Sequence, residues 1–177
     1  MKMLKWAAMV LGGLVALGVV LYVAGLFIPV AHVASSSVRL QQPVDSIWRT
    51  VRALEESASW WPAVSAMERL PDRDGREVWL QRQTTGDLTM EVMESTEPVR
   101  LVMRIADDRL PFGGTWTYEI HEEAGGSRIT ITEDGEIYSP FFRVMSRFFF
   151  GYHATQESYL TALSVRFGET PTIERIR

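Results

Sequence analysis

The chain has 177 residues, of which 46% are hydrophobic and 23% charged, which is the composition of a folding chain with room for one ordinary domain beyond an apolar head. With no cysteine, it has no disulfide framework, no thiol chemistry and no cysteine metal site. A formal net charge of -4, without any long run of Lys and Arg, argues against a nucleic-acid partner.

Lys2 and Lys5 precede an uncharged run from Trp6 to Val30. This run exceeds the ~20 residues a helix needs to cross the hydrocarbon core. Its glycines are tolerated in membrane spans, and Trp6, Tyr22 and Phe27 suit the two interfaces. A cleaved signal peptide fits less well. Its apolar region is usually ~7–15 residues, and a cut after Ala34 would leave His32 three positions back from the cut. A buried soluble helix would need a polar face, and no charge interrupts the run. The expectation is a transmembrane anchor and joint over 1–34, touching the membrane through 6–30. The two lysines place the N-terminus in the cytoplasm and the domain on the outer side, periplasmic or extracellular.

Ser35-Ser36-Ser37 reads as a polar joint, followed by a strand at Val38-Arg39-Leu40. Pro43 opens a helix in which Val44, Ile47, Trp48, Val51 and Leu54 recur at helical spacing, ending near Glu56. Ser59-Trp60-Trp61-Pro62 makes a short second turn or helix. Strands and tight turns then run from Ala66 to Ser139. Met67 to Leu70 is a short strand, and Pro71 to Gly75 has strong turn chemistry. The strand from Val78 to Gln83 follows, with Val78, Leu80 and Arg82 in phase. Leu88, Met90 and Val92 alternate with polar or outward residues, and so do Leu101, Met103 and Ile105. Trp116, Tyr118 and Ile120 share a face, and Ala124-Gly125-Gly126-Ser127 turns the chain into a partner strand with Ile129 and Ile131. From Ser139-Pro140 the period changes, giving one long amphipathic helix to about Phe167, stopped by Gly168. The domain spans 35–168, and 169–177 is a polar tail.

This order describes an α+β domain: an antiparallel sheet with one apolar face, covered by one long helix. Four stretches make it specific. They are Val38 to Trp48, Trp60-Trp61-Pro62, the hairpin from Gly114-Thr115-Trp116-Thr117-Tyr118 through Gly125 to Glu133, and the closing helix. Together they resemble the START-like or SRPBCC superfamily, within it the polyketide cyclase/dehydrase-like branch. The resemblance covers nearly all of the chain after Ala34. It implies a helix-grip fold, here preceded by one transmembrane helix, and a hydrophobic ligand cavity under the closing helix. Because a fold does not fix a function, the site must come from individual residues.

Under that resemblance, the residues expected to line the cavity are Trp116, Tyr118 and Ile131 from the sheet and Met145, Phe149 and Tyr152 from the helix, with Arg82 and Glu133 as polar groups. Glu133 is in phase with Ile129 and Ile131, so a regular strand aims its carboxylate inward; a bulge at Asp134-Gly135 would turn it outward. Arg82 reaches inward to pair with Glu133 or a ligand carboxylate, or else snorkels to an edge. The weak catalytic candidates are His153, Tyr152 and Glu133; the plainer expectation for His153 is a partly buried ring with a local hydrogen bond. His32 reads as a residue at the membrane edge, and His121 as facing solvent. In the run Phe148-Phe149-Phe150 at least one ring must point away from the sheet, where it would touch the bilayer or a partner.

No nucleophile elbow, phosphate loop or metal spacing is present, and no cofactor is expected. Three readings stand. The first is a membrane-tethered module that binds a lipid-like or aromatic molecule. The second is a cyclase- or dehydratase-type enzyme, and the third an interaction domain with a filled cavity. The first two differ in whether polar groups converge on one point of the cavity.

Overall fold

A computed structural model describes residues 2–177. Helix α1 (Lys2–Leu26) is followed by strand β1 (Ala31–Leu40), helix α2 (Val44–Arg52) and a 3₁₀ turn over Leu54–Ser59. Six strands come next: β2 (Val64–Arg73), β3 (Arg76–Gln83), β4 (Leu88–Thr96), β5 (Arg100–Ile105), β6 (Phe112–Glu123) and β7 (Gly126–Ile137). The chain closes with α3 (Pro140–Met145), a π-helical turn (Ser146–Phe150), α4 (Ala154–Arg166) and the short strand β8 (Ile173–Arg175). The segment Lys5–Leu26 of α1 is long and apolar enough to cross a membrane.

The eight strands form one antiparallel sheet in the order β2-β3-β4-β5-β6-β7-β1-β8. Its concave face grips α2 and α4. This is the expected helix-grip architecture, and the alternation of side chains in each strand builds it. Val38 and Leu40 on β1, Leu101 on β5, Ile120 on β6 and Ile129 on β7 meet Ile47 and Val51 of α2 and Leu160 and Leu163 of α4. All are essentially inaccessible to water. This dense aliphatic core occupies the half of the grip farthest from α1.

Several elements differ from the sequence reading. Ser35 to Ser37 are not a joint: they lie in the middle of β1 and are buried. Ser35 Oγ hydrogen-bonds Thr132 Oγ1 at 2.9 Å, Ser37 Oγ accepts from Arg128, and the Ser35 backbone pairs with the tail at Ile176 and Arg177. Within the polar tail 169–177, β8 pairs with β1 along its edge. Leu54 belongs to the 3₁₀ turn rather than to α2. β2 continues through Pro71, so the turn is confined to Asp74-Gly75.

The closing helix is broken rather than continuous. Three successive phenylalanines cannot share one helical face, and the chain leaves α-helical geometry over 146–150 before turning at Gly151, whose φ is 73°. Strand β3 has the opposite phase to that expected. Trp79 joins the core, while Val78 lies on the convex face with Glu91. Val78 is nonetheless buried, beneath a cluster in which Arg73 (3.2 Å) and Arg104 (2.7 Å) hold the Glu91 carboxylate.

Candidate functional site

At the end of the grip nearest α1 the aliphatic packing stops, and a cavity of about 430 Å³ opens between the sheet and the helices. This is the size of a small-molecule site. Much of its wall is apolar or aromatic, with Trp61, Met67, Met90, Met103, Ile105 and Tyr159 prominent.

One polar cluster interrupts that wall. β1 and β7 pair so that Ala34 faces Glu133 and His32 faces Gly135. His32 and Glu133 are therefore diagonal neighbours on the concave face, close enough for their side chains to meet. His32 Nε2 lies 3.3 Å from Glu133 Oε1 and is placed to donate to it. Glu133 Oε2 accepts from Trp116 Nε1 at 2.9 Å. Tyr152, at the break before α4, stacks on the imidazole with ring centroids 4.1 Å apart and an interplanar angle of 20°. Gly135 makes the arrangement possible, because a Cβ there would overlap the His32 ring and crowd the Glu133 carboxylate. The pair is shielded but not sealed, with side-chain exposures of 12% for His32 and 22% for Glu133. His32 Nδ1 is buried without a hydrogen-bond partner.

Deeper in the cavity, Trp61, Trp116, Tyr118 and Tyr159 form an aromatic nest with centroid separations of 5.0–6.4 Å. Tyr118 and Tyr159 are themselves buried in this nest while lining the cavity. Burial, and then the negative charge of Glu133, pushes the Tyr118 phenol far above its ordinary range. Burial, and then Tyr118, does the same to Tyr159. Both therefore remain neutral phenols.

Of the residues expected on the wall, Trp116, Tyr118, Glu133 and Tyr152 lie there. The others do not. Ile131 is wholly buried in the core beside the cavity. Met145 is half-buried outside the lining, and Phe149 is 69% exposed. Arg82 points away from the cavity and binds Glu68 and Asp87 on the surface, a consequence of the one-residue phase of β3. On that strand Gln81 and Gln83 line the cavity instead. His153 turns to Ser36, its Nδ1 3.1 Å from the hydroxyl, and does not line the cavity. His121 is exposed on β6. His32, read as a membrane-edge residue, belongs to the site. The alternation His32, Ala34, Ser36, Val38, Leu40 carried that signal, masked by the polar serines between. Among the described residues, no group of three or more His, Asp or Glu side chains could hold a metal ion.

The family described as polyketide cyclase / dehydrase and lipid transport matches residues 31–157. The fold is similar to that of a START superfamily protein from Mycobacterium smegmatis, at 17% identity with a TM-score of 0.61, over 76% of this chain and 96% of that one. It is similar to the ZhuI aromatase/cyclase from Streptomyces sp. R1128, at 12% identity with a TM-score of 0.60, over 77% and 93%. It is also similar to the di-domain aromatase/cyclase StfQ from the steffimycin biosynthetic pathway, at 10% identity with a TM-score of 0.61, over 78% of this chain. The chain spans 53% of that di-domain protein. No curated protein matches the chain. On the family match, the chain belongs to the polyketide cyclase / dehydrase and lipid transport family.

Proposed function

We propose that this family member is a membrane-tethered module that holds one apolar small molecule, lipid-like or aromatic, in the cavity between sheet and helices. The cavity of about 430 Å³ carries the reading, because in so small a domain it leaves unfilled what packing would otherwise fill. The apolar wall supplies affinity. Tyr118 and Tyr159 offer two neutral hydroxyls to an acceptor on the ligand, such as a carbonyl. The His32–Glu133 pair orients its polar end. The helix from Lys5 to Leu26 anchors the domain, and Lys2 and Lys5 place the N-terminus in the cytoplasm and the domain on the outer side.

The test is to purify the full chain from membranes in mild detergent, extract it with solvent and identify released compounds by mass spectrometry. One compound class recurring at near-equal molar ratio, and lost in Tyr118→Arg, is the expected result. A protein that is clean in several hosts while remaining folded speaks for the interaction-domain reading instead.

A second reading, proton-transfer chemistry of the cyclase or dehydratase type, is favoured by one observation. An imidazole and a carboxylate meet on the cavity wall with an aromatic ring fixing the imidazole. It predicts that Glu133→Gln, which keeps the shape, leaves a different compound bound from the one recovered with wild type. If both forms yield the same compound, the binding reading stands alone.

A further inference from the structure

The join between α1 and the domain is a built contact. The α1 backbone at Gly25 lies directly on the Pro140 carbonyl, closely enough that a Cβ at Gly25 would overlap it. Arg143 of α3, only 9% exposed, donates to Gly25 O at 3.1 Å and Ile28 O at 2.9 Å from Nη1, and to Tyr138 O at 3.0 Å from Nη2. Its positive charge caps the negative end of the α1 dipole. Ile137 N donates to Val30 O at 2.9 Å, tying β7 to the same joint. The end of α1, the start of β1 and α3 thus form one block.

That block has a conspicuous apolar surface. Phe148, Phe149 and Phe150 are 69%, 69% and 63% exposed, and Phe27, Phe141 and Phe142 are exposed beside them on α3 and the end of α1. The segment 140–153 contains no Asp or Glu, and its one exposed charge is Arg147. In a chain of net charge -4 this is a local reversal, and it suits a surface bearing lipid phosphates. Soluble surfaces rarely leave such a patch uncovered. Phe142, Ser146, Phe150 and Gly151 of this segment also line the cavity, at its exposed rim.

The depth of the patch follows from α1. At ~1.5 Å per residue, its apolar stretch of 22 residues extends about 33 Å, against ~30 Å of hydrocarbon. The last turn of α1 therefore lies at the membrane boundary, and α3 is held against that turn. We propose that the phenylalanine face of α3 and the π-helical turn is seated in the bilayer that holds α1. The cavity mouth then opens onto lipid, and its apolar occupant exchanges with the membrane without crossing water. This rests on the reading that α1 spans the membrane, and the experiment separates the two.

Because the chain has no cysteine, single-cysteine variants give unambiguous labelling sites. Nitroxide labels are placed at Phe149→Cys, at Val19→Cys within α1 and at Ala124→Cys in the distant β6–β7 turn. The full chain is reconstituted in phosphatidylcholine and phosphatidylglycerol vesicles. Spin relaxation by a water-soluble nickel chelate and by oxygen then reports depth. The expected result is nickel accessibility at position 149 about fivefold or more below that at 124, with strong relaxation by oxygen, because interfacial side chains sit ~5–10 Å into the headgroup boundary. A label at Phe148→Cys repeats the measurement independently. If 148 and 149 match 124 while 19 is protected, the seating is wrong and the anchor stands. If 19 is also open to nickel, the spanning reading fails and takes this proposal with it.

Discussion

The two halves of the grip use the same strands and the same alternation but end in different chemistry. Away from α1, β1, β6 and β7 contribute Leu40, Ile120 and Ile129, α4 contributes Leu160 and Leu163, and all pack into one buried aliphatic cluster. Towards α1 those elements contribute His32, Trp116, Glu133 and Tyr159, and they surround space. The far half does the work of stability, and the near half is released from it. Side chains that line a void have no neighbours on one side and so less to lose. A binding site is formed here by withholding the packing that the same strands complete a few residues away.

Truncation in the two halves gives the largest test of that contrast. Leu160→Ala should cost about 2–5 kcal/mol, whereas Met90→Ala on the cavity wall should cost under about 2 kcal/mol, both read by urea unfolding of the full chain in detergent. Equal costs would erase the distinction between the halves.

Gly135→Ala is next. The added methyl must displace the His32 ring, so a cost of about 1–3 kcal/mol is expected. The His32 ring protons should lose the upfield ring-current shift from Tyr152 in NMR. An unchanged imidazole spectrum would mean that the stacked arrangement does not need this glycine.

Alkaline pH sharpens the comparison from the cavity side. Tyr118 and Tyr159 have phenols raised above their ordinary value of 10.0 in the folded state. The stability they contribute is therefore whole below about pH 10 and is lost as the pH climbs above it, because the unfolded chain gives up these protons first. Unfolding midpoints followed from about pH 9 to about pH 11 should fall, and Tyr118→Phe should flatten the fall. A slope as steep in Tyr118→Phe as in wild type would contradict the placement of this phenol.

The smallest effect belongs to Arg82. It lies on the convex surface with Glu68 and Asp87, so Arg82→Ala should change stability by no more than about 0.5 kcal/mol and leave any bound compound in place. Loss of that compound would return Arg82 to the cavity.

Where the sequence was a good guide, side-chain chemistry and face agreed. Along β6 and β7, Trp116, Tyr118, Ile129 and Ile131 alternate with Thr117, Glu119, Thr130 and Thr132, so the phase could be read directly, while Glu133 stood open until the unbroken β6–β7 register turned it inward. On β3 both Val78 and Trp79 are apolar and both are buried, one beneath the Glu91 ion cluster and one in the core, so composition could not choose the face. On β1 the inward and outward serines are alike buried, the outer ones bonded to Thr132 and Arg128 of β7 and with β8 paired along their edge. That hid the strand and, with it, His32. The break at 146–150 was legible only as a conflict, since three adjacent phenylalanines could not all face the sheet.

Native mass spectrometry of the full chain released from lipid nanodiscs tests the central claim most directly, with wild type compared with Met103→Trp, which puts an indole on the cavity wall and narrows it. The account predicts wild type carrying a single small-molecule adduct, and Met103→Trp folded with that adduct strongly diminished. Wild type without an adduct, or an adduct that persists equally when the cavity is narrowed, would contradict it.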